Sequence, residues 1–272
     1  GYKNESLLNK EFSKLRFLIN SSFESGVVHF NNGRTLAPLF GESLHPRERN
    51  HPQFIRKLIR FYANSLFGVE LCLWRFRRKA IFITFQGSDA RETKCFENEH
   101  LVSGLASKIL KRSGRSDNSI REKKIQIAKI ADKIYSLNPD LLEVLPNDAE
   151  FLPYSTEATL HAKVLPFKQA GEFIIGHAPT HRIVKGTDQI ISLVDRLRAK
   201  GHQVRLELIE GLAKADDLKK YQEIDLFIDQ LVIGWYGVVS LEVMALGKPV
   251  ICFVKGKGLR FVPPQMLRDL PI

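Results

Sequence analysis

Short apolar runs alternate along this chain with longer stretches in which apolar residues recur every three or four positions. The short runs cover 26–30, 80–85, 133–137, 172–176, 203–209, 225–229 and 250–254. A near-continuous apolar run bounded by turn residues is the pattern of a strand covered on both faces, so parallel sheet is predicted. Helical spacing marks 1–25, with Leu7, Leu8, Phe12, Leu15, Phe17, Leu18 and Ile19 as its apolar positions. It returns in the second half of 41–70, where Phe54, Ile55, Leu58, Ile59 and Tyr62 are predicted to face inward, and in 119–131, 186–199 and 214–222. Asn138-Pro139-Asp140 reads as the opening of one more helix, Pro139 suiting a first turn. Strands alternating with helical periods make this an α/β chain with doubly wound parallel sheets. The stretch 155–171, containing Pro166 and Gly171, reads as a linker between an N-terminal domain (1–165) and a C-terminal one (166–272).

The stretch 234–254 is the densest in signals. Gly234 and Gly237 bracket Trp235-Tyr236, helical spacing follows to Leu246, Gly247 stops the helix, and Val250 opens an apolar run. Such a unit predicts a turn whose backbone admits a ligand and a helix whose first amides, Gly237 foremost, face an anion. Glu242 is the one carboxylate inside it, a turn into the helix, where it could accept from ribose hydroxyls. The loop 179–186 leaves a strand, opens a helix and offers Arg182 and Lys185, two cations suited to a diphosphate and to the charge on a departing phosphate. Two solvated loop cations are the plainer reading. His177 and His181 flank them and stay outside the catalytic set. Gln86-Gly-Ser-Asp-Ala-Arg91 follows the strand 80–85; either Asp89 or Ser88 caps the following segment, or Gln86, Asp89 and Arg91 line a binding cleft near a sugar or acceptor.

Charge narrows the partners. The net charge is +11, and residues 1–165 carry 26 Lys and Arg against 18 Asp and Glu. The excess gathers in 74–79 and 108–124, which attracts phosphates or an anionic membrane surface. No nucleic-acid motif is present, so nucleic acid is not the expected partner. No apolar run is long enough to span a bilayer, no leader is visible at 1–5, and three scattered cysteines suit a reducing compartment, giving a cytoplasmic, membrane-peripheral expectation. No Asp-x-Asp pair or His/Cys cluster is present, so neither a metal nor a resident cofactor is expected.

Four ordered motifs carry a family resemblance. Glu242-Val-Met-Ala-Leu-Gly-Lys-Pro-Val250 resembles the E-x-MA-x-GKPV signature of family 4 glycosyltransferases. Gly87–Arg91, Ala131–Tyr135 and His177–Gly186 agree in order, and the resemblance spans residues 27–255. It implies the GT-B fold: two Rossmann-like domains whose parallel sheets face each other across a cleft. The activity implied is retaining, metal-independent transfer of a sugar from a nucleoside-diphosphate sugar to a glycan or lipid-linked acceptor. Site residues carried over are Arg182 and Lys185 on the diphosphate, Gly237 at the helix N-terminus, Glu242 on ribose and Asp89 on the acceptor side. The sequence departs from the family at Gln86, where many relatives have histidine, and at Gly234, where the first of two spaced glutamates belongs. Asp229 and Gln230, just before the turn, are the nearest candidates to replace that glutamate; the plainer reading of Asp229 is a cap on the turn. The resemblance also implies that the chain starts within the first domain and stops short in the second. Sugar-nucleotide binding without transfer is the alternative function these departures motivate.

Overall fold

A computed structural model of the chain describes residues 7–24, 26–31, 36, 52–87, 89–96, 117–155 and 171–270. These divide into two compact units, the second running from Leu152 onward and including the short stretch Asn138–Asp140. Residues 156–170 of the predicted linker and the basic stretch 108–116 lie outside the described residues.

The first unit contains α1 (Leu7–Glu24), β1 (Val27–Phe30), α2 (Gln53–Phe76), β2 (Ala80–Phe85), α3 (Asp117–Ile130), β3 (Lys133–Ser136) and β4 (Glu150–Phe151). Its four strands lie in chain order, all parallel. β2 is central, and Ile81, Ile83 and Phe85 are fully buried, as its unbroken apolar run requires. Asn138-Pro139-Asp140 leads into a 3-10 turn, Pro139–Glu143, instead of the predicted α-helix. The turn is followed by β4, whose two residues are too few to leave a periodic signal.

α2 corrects the predicted facing, and two further helices expose some of their apolar positions. In α2, Phe54, Ile55, Leu58 and Tyr62 are exposed, whereas Glu70 and Trp74 near its far end are buried. In α1, Leu18 is buried while Phe12, Leu15, Phe17 and Ile19 are exposed. Apolar spacing identifies a helix's apolar stripe; it does not say which stripe the rest of the unit covers. Ile125 on α3 is likewise exposed, with Ile120, Ile127 and Ile130 carrying the packing.

The second unit contains β5 (Phe173–His177), α4 (Arg182–Lys185), α5 (Thr187–Ala199), β6 (Val204–Leu208), α6 (Lys214–Glu223), β7 (Leu226–Ile228), α7 (Val238–Ala245), β8 (Val250–Ile251) and α8 (Pro264–Asp269). The sheet order is β6-β5-β7-β8, again all parallel. Neighbouring strand residues feed opposite faces. Ile174 and Phe227 pack with Ile209, Tyr221, Ile224, Val243 and Leu246. Ile175 and Ile228 pack with Ile190 and Val194 of α5 on the other face. Helices therefore cover both sides of the sheet, the doubly wound arrangement. Gly176 permits the close packing: a Cβ there would lie 2.7 Å from Ile224 Cδ1. β8 is shorter than the predicted 250–254 run and lies at the sheet edge, with Ile251 exposed.

One device recurs in both units. Asp132, just before β3, donates its N–H to the Ile81 carbonyl at 2.8 Å, and its carboxylate accepts the Ile81 N–H at 2.8 Å. Asp225, just before β7, makes the same reciprocal pair with Ile174, both bonds 2.8 Å. Each aspartate continues the ladder one step beyond its strand and fixes register.

Candidate functional site

In the second unit the chain runs from β5 to β6 on one side, then crosses back to β7 on the other. Loops leaving the carboxyl ends of β5 and β7 consequently diverge, and the crevice they leave is where ligands of open α/β sheets bind. The residues at that point are His177 and the loop into α4, then Asp229 and the turn into α7.

His177 ends β5 fully buried. Its Nδ1–H donates to the Ile228 carbonyl at 2.7 Å, leaving Nε2 to accept from the Thr187 hydroxyl at 2.9 Å. One ring thus joins β5, β7 and the start of α5. Burial pushes its pKa below the usual histidine value of 6.5; the Ile228 carbonyl opposes that and the Lys185 charge adds to it. His177 is a neutral structural clamp.

Lys185 closes the short α4. Gly186 follows with φ +75°, the left-handed conformation that glycine accepts without strain, and a Cβ there would press on Leu231 Cβ at 3.2 Å. This turn directs the Lys185 ammonium to the carboxylate of Asp229, which is wholly buried. The other Asp229 oxygen accepts the Gly237 N–H at 2.6 Å and the Ser240 hydroxyl at 2.7 Å. Asp229 therefore joins a cation from the β5 loop to the N-terminus of α7. Gly237 fits this crowding: a Cβ would stand 3.3 Å from Lys185 Nζ and 3.4 Å from Asp229 Oδ2.

The turn between β7 and α7 is held by the neighbouring glutamine. Gln230 Nε2 donates to the Trp235 and Phe253 carbonyls at 2.9 and 2.8 Å, and Oε1 accepts from Val232 and Ile233 N–H at 2.9 and 2.5 Å. All the hydrogen-bonding capacity of the amide goes into the loop. At Gly234 it is Lys255 of the same chain that approaches the backbone, where a Cβ would meet the Lys255 Cβ at 2.4 Å. Trp235 and Tyr236 are buried with ring centroids 4.6 Å apart. Beside this turn a cavity of about 560 Å³ is bounded by Tyr236, Ser240, Leu241 and Met244, and by Cys252 and Met266 beyond them.

The remaining sequence-derived candidates make other contacts. Arg182 is exposed and forms a two-pronged bond with Glu210 after β6, Nε to Oε1 at 3.0 Å and Nη2 to Oε2 at 2.5 Å. That hydrogen-bonded pairing raises the guanidinium's pKa and lowers the carboxylate's. Glu242 is buried in α7 and does not line the cavity. Burial pushes the Tyr221 phenol of α6 upward, and the Glu242 charge adds to that. Asp89 belongs to the first unit, where it is buried and its Oδ2 accepts the Gln86 N–H at 3.2 Å, a bond back within its own turn. The structure thus brings Lys185 and Gly237 together with Asp229 and Ser240. Asp229, named from the sequence as a substitute for the absent glutamate or as a cap, caps the start of α7, and Gln230, named beside it, holds the turn.

Among the described residues no group of His, Cys, Asp and Glu is placed to hold a metal ion, and no helix is long and apolar enough to cross a membrane. Compared with protein-family models and with curated proteins, the chain matches none.

Proposed function

We propose that the second unit binds a nucleoside-diphosphate sugar and that the protein is a GT-B glycosyltransferase, moving the sugar to a glycan or lipid-linked acceptor. The observation that carries this reading is Lys185 at the switch point, held by Asp229 against the N-terminus of α7. An ammonium has three N–H donors, so Lys185 can keep Asp229 and still reach a phosphate oxygen. Arg182 has five N–H groups and gives two to Glu210, leaving donors for the second phosphate. Together they would steady the charge that builds on the diphosphate as the sugar leaves. Gly237 contributes by leaving room for the Lys185 ammonium, its own N–H being taken by Asp229. Glu242 would accept from the ribose hydroxyls, and Asp89 would act on the acceptor side in the first unit. The four ordered motifs noted in the sequence support the same reading.

The test is calorimetric binding of UDP, GDP and their sugars. Lys185→Ala alone leaves Asp229 buried without its cation, so the double variant Lys185→Ala/Asp229→Asn serves as the folded control. Both should lose about 1.5–3 kcal/mol of diphosphate affinity, the range for charge-assisted hydrogen bonds. In the same series a 2′-deoxynucleotide should bind wild type more weakly than the ribonucleotide, and Glu242→Gln should shrink that difference. Full affinity in the folded double variant would remove Lys185 from the site and the reading with it.

A further inference from the structure

The longest helix of the first unit presents the wrong face to its own domain. At 100° per residue, Phe54, Leu58, Phe61, Tyr62, Val69 and Phe76 of α2 fall within about 100° of the helix circumference. All are exposed, Phe54 at 70%, Phe61 at 72% and Phe76 at 82%. The buried Glu70 and Trp74 stand on the opposite side. Ser65 interrupts the stripe but turns its hydroxyl back onto the Phe61 carbonyl at 2.9 Å, so its own donor is met. The stripe runs from the first turn of α2 to the last, about 33 Å at 1.5 Å per residue.

Its surroundings are basic. From Gln53 to Lys79 the sequence carries seven Lys and Arg against one Glu. Lys57 and Arg75, both exposed, sit on the helix flank next to Phe61; Arg75 is paired with Asp132 at 2.9 Å, so Lys57 carries the charge of that flank outward. At the far end the Arg77 guanidinium lies 4.3 Å over the Phe23 ring of α1 and donates to the Ser22 carbonyl at 3.2 Å. Phe12, Ile19 and Phe23 then add a second exposed apolar row on α1.

A long apolar stripe with Lys and Arg on its flank is the composition of a helix that lies in a membrane interface with its rings among the acyl chains. We infer that α2, with α1 beside it, docks the protein on an anionic lipid surface. Charge selects that occupant over a second copy of the chain: a copy would bring the same basic helix face to face with its like, whereas anionic headgroups attract it. The inference rests on the first unit alone and stands independently of the nucleotide reading.

The experiment is co-sedimentation of the full chain with vesicles of phosphatidylcholine and with vesicles that also contain phosphatidylglycerol. Wild type should bind the phosphatidylglycerol vesicles, less so in high salt, and should bind pure phosphatidylcholine on the order of tenfold more weakly. Phe61→Ser/Phe76→Ser should lose vesicle binding by at least about tenfold with an unchanged melting temperature, because both rings are already exposed. Lys57→Gln should flatten the salt dependence. Absence of vesicle binding by wild type, or undiminished binding by the double variant, overturns the inference. So does a wild-type dimer in sedimentation velocity that the double variant dissolves, which would assign the stripe to a second copy.

Discussion

His177 shows how one buried side chain ties the candidate site to solution conditions. Its ring is held neutral between the Ile228 carbonyl and the Thr187 hydroxyl, with a pKa below that of the unfolded chain. A base with a depressed folded pKa binds its proton more readily when unfolded. Its contribution is therefore complete above about pH 6.5 and is lost as pH falls from there through the lowered folded value. The urea midpoint should accordingly drop between pH 7.5 and 5.5 by more in wild type than in His177→Asn. Equal drops in the two proteins would mean the ring is not the titrating group. At this scale the sequence was legible in part. Lys185 and Gly237 stand out by residue type and position, and the structure puts them together, though the Gly237 N–H expected to face a ligand's anion goes to Asp229 instead. The role of Gln230 was not legible, because nothing in a primary sequence announces that one amide will make four bonds within its own loop. Nor was the partition of cations between carboxylates, Lys185 to Asp229 and Arg182 to Glu210, since both acids are distant in sequence.

Elements follow the same division. β2 and the β5–β7 core were readable because a central strand must be apolar throughout, and the alternation of runs and periods required crossovers. β4 escaped notice, being only two residues held by register with Tyr135 and Ser136. The exposed stripe of α2 was readable as a stripe but not as an outward one. Close packing was equally hidden: Gly176 sits mid-strand where glycine is ordinarily a weakness. Its reason is Ile224, whose side chain fills the place of a Cβ. Gly176→Ala should therefore cost about 1–3 kcal/mol in denaturant unfolding, the range for overpacking a tight core. Ile224→Ala in the same chain should be less damaging than in wild type, since it vacates that space. Strict additivity of the two changes would tell against the contact.

For the whole molecule, the two proposals place different chemistry on different units: lipid contact on the first, nucleotide contact on the second. Changes in one should leave the other untouched. Phe61→Ser/Phe76→Ser should bind nucleotide as wild type does, and Lys185→Ala/Asp229→Asn should sediment with vesicles as wild type does. In the combined variant each loss should match that of its own double variant to within about 0.5 kcal/mol, so that a vesicle or nucleotide loss departing from this shows coupling between the units. Within the second unit, Asp229 has a further consequence. A lysine in open water is attended by mobile anions and sweeps its four-carbon stem through many rotamers. The anion attending Lys185 is part of the chain and cannot diffuse away. The stem is frozen when the protein folds, so a ligand arriving at the crevice meets an ammonium already aimed and does not bear the entropy of ordering it.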